Sequence, residues 1–197
     1  MQKEFWFDTE TTGLDPNVNE ITQISGEMCG ERFNIFCKPN SPISPGSLEV
    51  QGVTVDEVMA YPPSTRGFEE LIALFDKHID KFDTSDRMTP IAFNANFDID
   101  MLYSFFKRHT RPKPNSKFME HSVGSYLRTP AVCVMYAYRW LVFLGRLPEP
   151  SKDAIKGKRY SLEQICKLHG IVFKPHDALA DIVATQELYR KVILPKI

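Results

Sequence analysis

Several features common in other chains are scarce here, and each scarcity narrows the reading. No two cysteines stand in a CxxC spacing; Cys29, Cys37, Cys133 and Cys166 are scattered. Neither a zinc site nor a disulfide framework is suggested, and free thiols in a reducing cytosol are the plain reading. Excess charge is missing too: 24 Lys and Arg against 25 Asp and Glu leave a formal net charge of −1. That excludes a uniformly basic nucleic-acid coat but leaves room for a locally basic groove beside a locally acidic site. The opening MQKEFWFDTE lacks an apolar signal core, and no window approaches the roughly 20 apolar residues of a membrane span. The expectation is a cytoplasmic protein with no membrane partner. Internal repeats and low-complexity tracts are lacking as well.

What is there suits one folded domain over 1–197, with 43% hydrophobic and 25% charged residues. Lys3 to Asp8 predicts a buried strand. Glu20–Met28 and Glu31–Pro39 predict two more, joined as a hairpin at Cys29–Gly30. The prolines of PNSPISPG mark a loop. Thr54 and Glu57 form a capping box ahead of a short helix. Phe68, Leu71, Ile72, Phe75 and Ile79 recur at helical spacing, Thr89–Phe93 is a short apolar strand, and Phe97 to about Arg108 is a helix. Val132–Leu144 has helical length. Ser161 and Gln164 form a second capping box, and a last helix runs from about Asp177 to Val192, closed by Pro195. A hairpin followed by alternating strands and helices predicts an α/β domain around a mixed sheet. Proline and lysine concentrate around Arg111–Lys117 and Pro148–Arg159, which read as loops or insertions, so an insertion is expected between about 103 and 160.

Three short segments carry acids at the ends of these elements. In FWFDTETTGLDP the first strand runs out in Asp8 and Glu10, which alternate onto one face. Two adjacent carboxylates raise each other's pKa unless a cation lies between them. In IAFNANFDIDML, Asp98 stands near a helix start, while Asp100 faces about 200° away at about 100° per residue. In KPHDALADIVATQEL, His176 precedes the helix, Asp177 is a good N-cap, and Asp181 lies one turn further in. Taken singly, each is an ordinary turn, cap or surface residue. Their joint order gives the pattern its meaning.

FDTET, FNANFD and HDALAD resemble the three motifs of the DnaQ-like 3′–5′ exonucleases of the DEDDh type. That family includes the proofreading subunit of bacterial replicative polymerase, ribonuclease T, oligoribonuclease and the TREX nucleases. Asp8 and Glu10 match its first pair of acids, Asp98 its second-motif acid, and His176 and Asp181 its HxAxxD motif. TTGLDP is typical, QGVT (Gln51 to Thr54) resembles the family's HGIT, and SLEQICKLHGI its SL…L…GI segment. Two positions depart from the pattern. Phe93–Asn94 stands where His-Asn is common, and TPAVCVMYA where Asp-Thr is common.

The resemblance implies a ribonuclease H-like mixed five-stranded sheet flanked by helices. It implies two divalent ions, Mg²⁺ or Mn²⁺, held by Asp8, Glu10, Asp98 and Asp181, with Asp8 shared and His176 as general base. Hard carboxylate oxygens suit such ions, and a histidine pKa of about 6.5 suits the base. The implied reaction removes nucleoside 5′-monophosphates from the 3′ end of DNA, preferably single-stranded. Thr11, Leu14 and Asn94 are candidates for contacting the terminal nucleotides. A basic track is expected from Lys107, Arg108, Arg111, Lys113 and Lys117, and from Arg146, Lys152, Lys156, Lys158 and Arg159, with Tyr103 or Phe106 as stacking platforms. A polymerase or other replication protein is the implied partner. Two alternatives stand beside this: a 3′–5′ exoribonuclease, and a silent nucleic-acid-binding module, which would have no need of four clustered acids.

Overall fold

The computed structural model describes residues 3–112, 119–151, 160–175 and 177–197. Five strands form one sheet: β1 (Glu4–Thr11), β2 (Ile21–Met28), β3 (Glu31–Phe36), β4 (Thr89–Ala92) and β5 (Val132–Cys133), in the order β3-β2-β1-β4-β5. β1 and β2 pair antiparallel, as do β2 and β3, whereas β4 lies parallel to β1 and β5 parallel to β4. The hairpin turns through Cys29 (φ 49°) and Gly30 (φ 84°), the left-handed pair that a two-residue turn between twisted strands favours.

Alternation along β1 divides the core. Phe5 and Phe7 point into one cluster, where they meet Phe75 of α3 (Ser64–His78) and residues Met101, Leu102 and Phe105 of α4 (Ala95–His109). Trp6 points into the other, with Ile91, with Tyr138 and Leu141 of α6 (Val134–Phe143), Ile165 of α7 (Leu162–Leu168) and Ile182 of α8 (Ala178–Glu187). A strand reading FWF with helices on both sides is thus buried on both faces.

Several elements differ from expectation. The loop of PNSPISPG stops at Ser44, and Pro45 opens α1 (Pro45–Gln51), where its missing N–H is harmless. α1 buries no residue, so it has no apolar stripe to betray it. Val132–Cys133 is strand rather than helix because it completes the sheet against Ile91 and Ala92. The short α5 (Val123–Tyr126) was not expected. The box at Thr54 and Glu57 closes both ways at the head of α2 (Val55–Met59). The one at Ser161 is half made: the hydroxyl accepts from Gln164 N, while Gln164 Oε1 is buried without a hydrogen bond. The last helix is not α-helical throughout. After Glu187 it widens into a π-helical stretch, Leu188–Ile193, then tightens over Leu194–Lys196. No helix among the described residues is long and apolar enough to cross a membrane.

Candidate active site

β1 delivers Asp8 and Glu10 to its C-terminal end on the Trp6 face, the face covered by α8. Register with β2 slips between Glu10 and Thr11, a bulge of the kind that re-aims side chains at a sheet's working edge. Asp181 stands in the first turn of α8, whose N-cap Asp177 accepts from Ala180 N at 3.2 Å. Asp98 stands in the first turn of α4, which packs on the opposite face. It is 3% exposed, and Asp100 beside it is exposed, as helical geometry requires.

Asp98 reaches β1 through Thr9. The Thr9 backbone N–H and hydroxyl both donate to Asp98 Oδ1, at 3.1 and 2.8 Å. Thr9 shares the Phe5/Phe7 face, so Asp98 meets the strand from the side away from α8. The two helices therefore bring one acid each to the same strand end from opposite sides.

The electrostatics tie the four acids together. Burial pushes the Asp8 carboxyl well above the usual range, and the Asp98, Glu10 and Asp181 charges raise it further. Glu10 is raised to about 7 by burial and then by Asp181 and Asp98. Burial also raises Asp98 to about 7, against the opposing pull of the two Thr9 hydrogen bonds. Buried like charges disfavour ionisation, and a cation among them would relieve it. Among the described residues no three such side chains already stand as a metal cage.

The other candidates sort differently. Thr11 is buried and its hydroxyl donates to Gly13 O at 2.7 Å, while its carbonyl accepts from Gln51 Nε2 at 2.8 Å. Leu14 is 84% exposed on the loop after β1. Asn94 is the exposed N-cap of α4, and its side chain makes no capping bond. Phe106, expected as a stacking platform, is instead buried among Phe68 and Tyr126, because it lies on the core-facing stripe of α4. Tyr103 keeps 45% exposure. Arg108 and Arg146, expected along the track, donate to backbone carbonyls: Arg108 to Asn19 and Pro16, Arg146 to Lys196. His176, Lys113, Lys117, Lys152, Lys156, Lys158 and Arg159 lie outside the described residues.

Two residues escaped the sequence reading. Thr9 carried a signal, a hydroxyl flanked by two acids on the opposite face of a strand, but only the fold reveals its partner. Tyr61 had none. It packs on Phe36, with ring centroids 4.8 Å apart; burial raises its phenol pKa, and Glu57 and Glu10 raise it further.

Known proteins resemble this chain in sequence and in fold. The chain is 24% identical over 201 residues to DNA polymerase III subunit epsilon of Pasteurella multocida, covering 95% of this chain and 66% of that protein. It is 31% identical over 113 residues to DNA polymerase III PolC-type of Streptococcus pneumoniae, covering 54% of this chain and 7% of that one. Exonuclease I of E. coli in complex with a dA16 oligonucleotide superposes with a TM-score of 0.73 at 20% identity, covering 100% of this chain and 42% of that chain. This chain thus spans about two thirds or less of each of these relatives. The family model described as exonuclease (RNase T) matches residues 5–144, a span that takes in Asp8, Glu10 and Asp98. The chain belongs to the RNase T exonuclease family, in agreement with the DnaQ-like motifs and the mixed five-stranded sheet.

Proposed function

We propose that this protein is a 3′–5′ exonuclease that releases nucleoside 5′-monophosphates from DNA, preferentially from single strands. The observation that carries the proposal is the convergence of two helices on one strand end: Asp98 of α4 is held by Thr9, between Asp8 and Glu10, and Asp181 stands in the first turn of α8, close enough for its charge to act on both of those carboxyls. Such a cluster is costly to a fold and makes sense as a cation site. The donor set fits: four hard carboxylate oxygens, suited to Mg²⁺ or Mn²⁺. When bound, two such ions polarise the scissile phosphate and stabilise charge on the attacking and leaving oxygens.

The chain's own residues do the rest. Asp8 and Glu10 present their carboxylates from a strand packed on both faces. Thr9 fixes Asp98 by two bonds. His176, the residue before the α8 N-cap, takes a proton from the attacking water. Leu14, projecting into solvent, meets the terminal bases, and the backbone beyond Glu10 receives the 3′-OH. We assign Lys156, Lys158 and Arg159 to the phosphate track on sequence grounds. The epsilon and PolC-type relatives are polymerase proteins by name, which supports a role beside a replicative polymerase.

An exoribonuclease would use the same acids, and only recognition of the 2′-OH separates the two. The deciding experiment is digestion of matched single-stranded DNA, duplex DNA and RNA oligomers, with and without chelator. Shortening of single-stranded DNA from its 3′ end that stops in chelator is expected. Preference for RNA would move the reading to RNA turnover, and activity undiminished by chelator would remove the role given to the acids.

A further inference from the structure

The loop that carries Leu14 is held far more firmly than an exposed connection requires. Its neck is closed by Thr12 N to Glu20 O at 2.8 Å and by Glu20 N to Thr12 Oγ1 at 3.0 Å. Inside it, Asp15 O accepts from Val18 N and Asn19 N, and Asn19 Oδ1 accepts from Asp15 N. A Cβ on Gly13 would stand 2.7 Å from the Asn19 amide, so the two ends of the loop press together.

Its outer side is gripped from α4. Ser104 donates to Pro16 O at 2.6 Å, and one turn later the Arg108 guanidinium spans two carbonyls, Asn19 at 2.6 Å and Pro16 at 3.2 Å. The fork geometry matters, because two donors fixed in one plane reach both carbonyls at once, which a lysine cannot do. Asp98 lies ten residues earlier on the same helix, about 15 Å away at about 1.5 Å per residue. One rod therefore bears an acid of the candidate site at one end and the grip on the loop at the other.

We infer that Arg108, with Ser104, is a positioning residue. It sets the height of the Leu14 loop relative to the carboxylates and so fixes where the terminal nucleotides sit, and it is not a phosphate contact. The inference rests on the exonuclease reading for its consequence, though not for its geometry. An exposed leucine on a rigid loop loses little entropy when bases press against it, which is how preorganisation raises affinity.

Three variants test it: Arg108→Met, which keeps the stem and loses the donors, Arg108→Lys, which keeps the charge and loses the fork, and Ser104→Ala. Amide hydrogen exchange at Val18 and Asn19 is measured in the free protein, and KM, kcat and salt dependence on a single-stranded oligonucleotide. Arg108→Met should speed exchange in the loop and raise KM about tenfold, as expected for a lost charge-assisted hydrogen bond. kcat should stay within about twofold, the mark of lost binding rather than lost transition-state contact. Arg108→Lys should not rescue, Ser104→Ala should move in the same direction by less, and the salt slope should match the wild type. Rescue by lysine, with a slope reduced by about 0.7 in Arg108→Met, would make Arg108 a phosphate contact and overturn the inference. Unchanged exchange would overturn it too. A wild-type protein that degrades no oligonucleotide would remove the exonuclease reading and leave the exchange data to decide the grip alone.

Discussion

Thr9 holds Asp98 with two donors on a single oxygen, Oδ1, and does so from the face of β1 opposite Asp8 and Glu10. The bonds favour the ionised form of an acid that burial otherwise pushes towards protonation. Thr9→Val keeps shape and deletes one donor to a buried charged group, a loss of about 1–3 kcal/mol in stability. The effect should be full at pH 8 and shrink as the pH falls through about 7, where Asp98 takes up a proton. Thr9→Ser should restore it. Urea unfolding of both variants at pH 8 and pH 5 checks this, and an equal loss at the two pH values would contradict it.

The metal-free protein should lose stability as the pH rises. Glu10 is raised from an ordinary 4.5 to about 7 in the fold. Between those values the folded state binds more protons than the unfolded one, so stability declines across that window and the penalty is complete above it. Asp8→Asn and Glu10→Gln should each raise the melting temperature of the metal-free protein at pH 8, and Asp8→Asn should also abolish turnover. Scanning calorimetry in chelator across pH 5 to 9 gives the comparison. A wild-type melting temperature that climbs from pH 5 to 8, unchanged in either variant, would refute the coupling.

His176→Ala should lower the turnover rate by roughly 10²–10⁴-fold, the usual worth of a positioned base. It should also remove the rise of rate with pH that a group of pKa about 6.5 gives the wild type. Calorimetric titration with Mn²⁺ should show binding retained, since His176 is assigned no ligand role. A pH profile of the same shape in the variant would move the base elsewhere.

Gly67→Ala tests the packing of α3 on the edge of the sheet. An added Cβ would run into Cys37 Sγ and stand 3.1 Å from Ile35 Cγ2, because α3 crosses the β3 side of the sheet at this glycine. Overpacking of this kind costs about 1–3 kcal/mol. A chemical denaturation curve should show a lower midpoint with unchanged slope.

What the sequence disclosed, and what it hid, follows from the range of each interaction. The body of the first strand, the hairpin and the helix bearing Asp98 announce themselves through local period and turn residues, and Asp8, Glu10, Asp98 and Asp181 through their place near element ends. α1 was hidden because none of its residues is buried, and β5 because two residues cannot display alternation. Arg108 shows the limit for a charged side chain. Its charge suggested phosphate, whereas its partners are carbonyls on a loop about ninety residues earlier, a relation that no local pattern encodes. Phe106 was misjudged likewise, since helical period identifies a stripe without saying which neighbour covers it.

The sheet separates the interior into two clusters, and the acids straddle the partition: Asp98 belongs to the helix of one compartment, Asp181 to that of the other. Any cation gripped by both would act as a rivet through the wall, coupling two halves that meet across β1 and its neighbours. Its binding free energy would be felt on both sides at once, and loosening either compartment would weaken the grip. Cofactor loading and global rigidity should therefore rise and fall together, so a substitution deep in either cluster becomes an allosteric modulator of ion affinity without approaching the carboxylates.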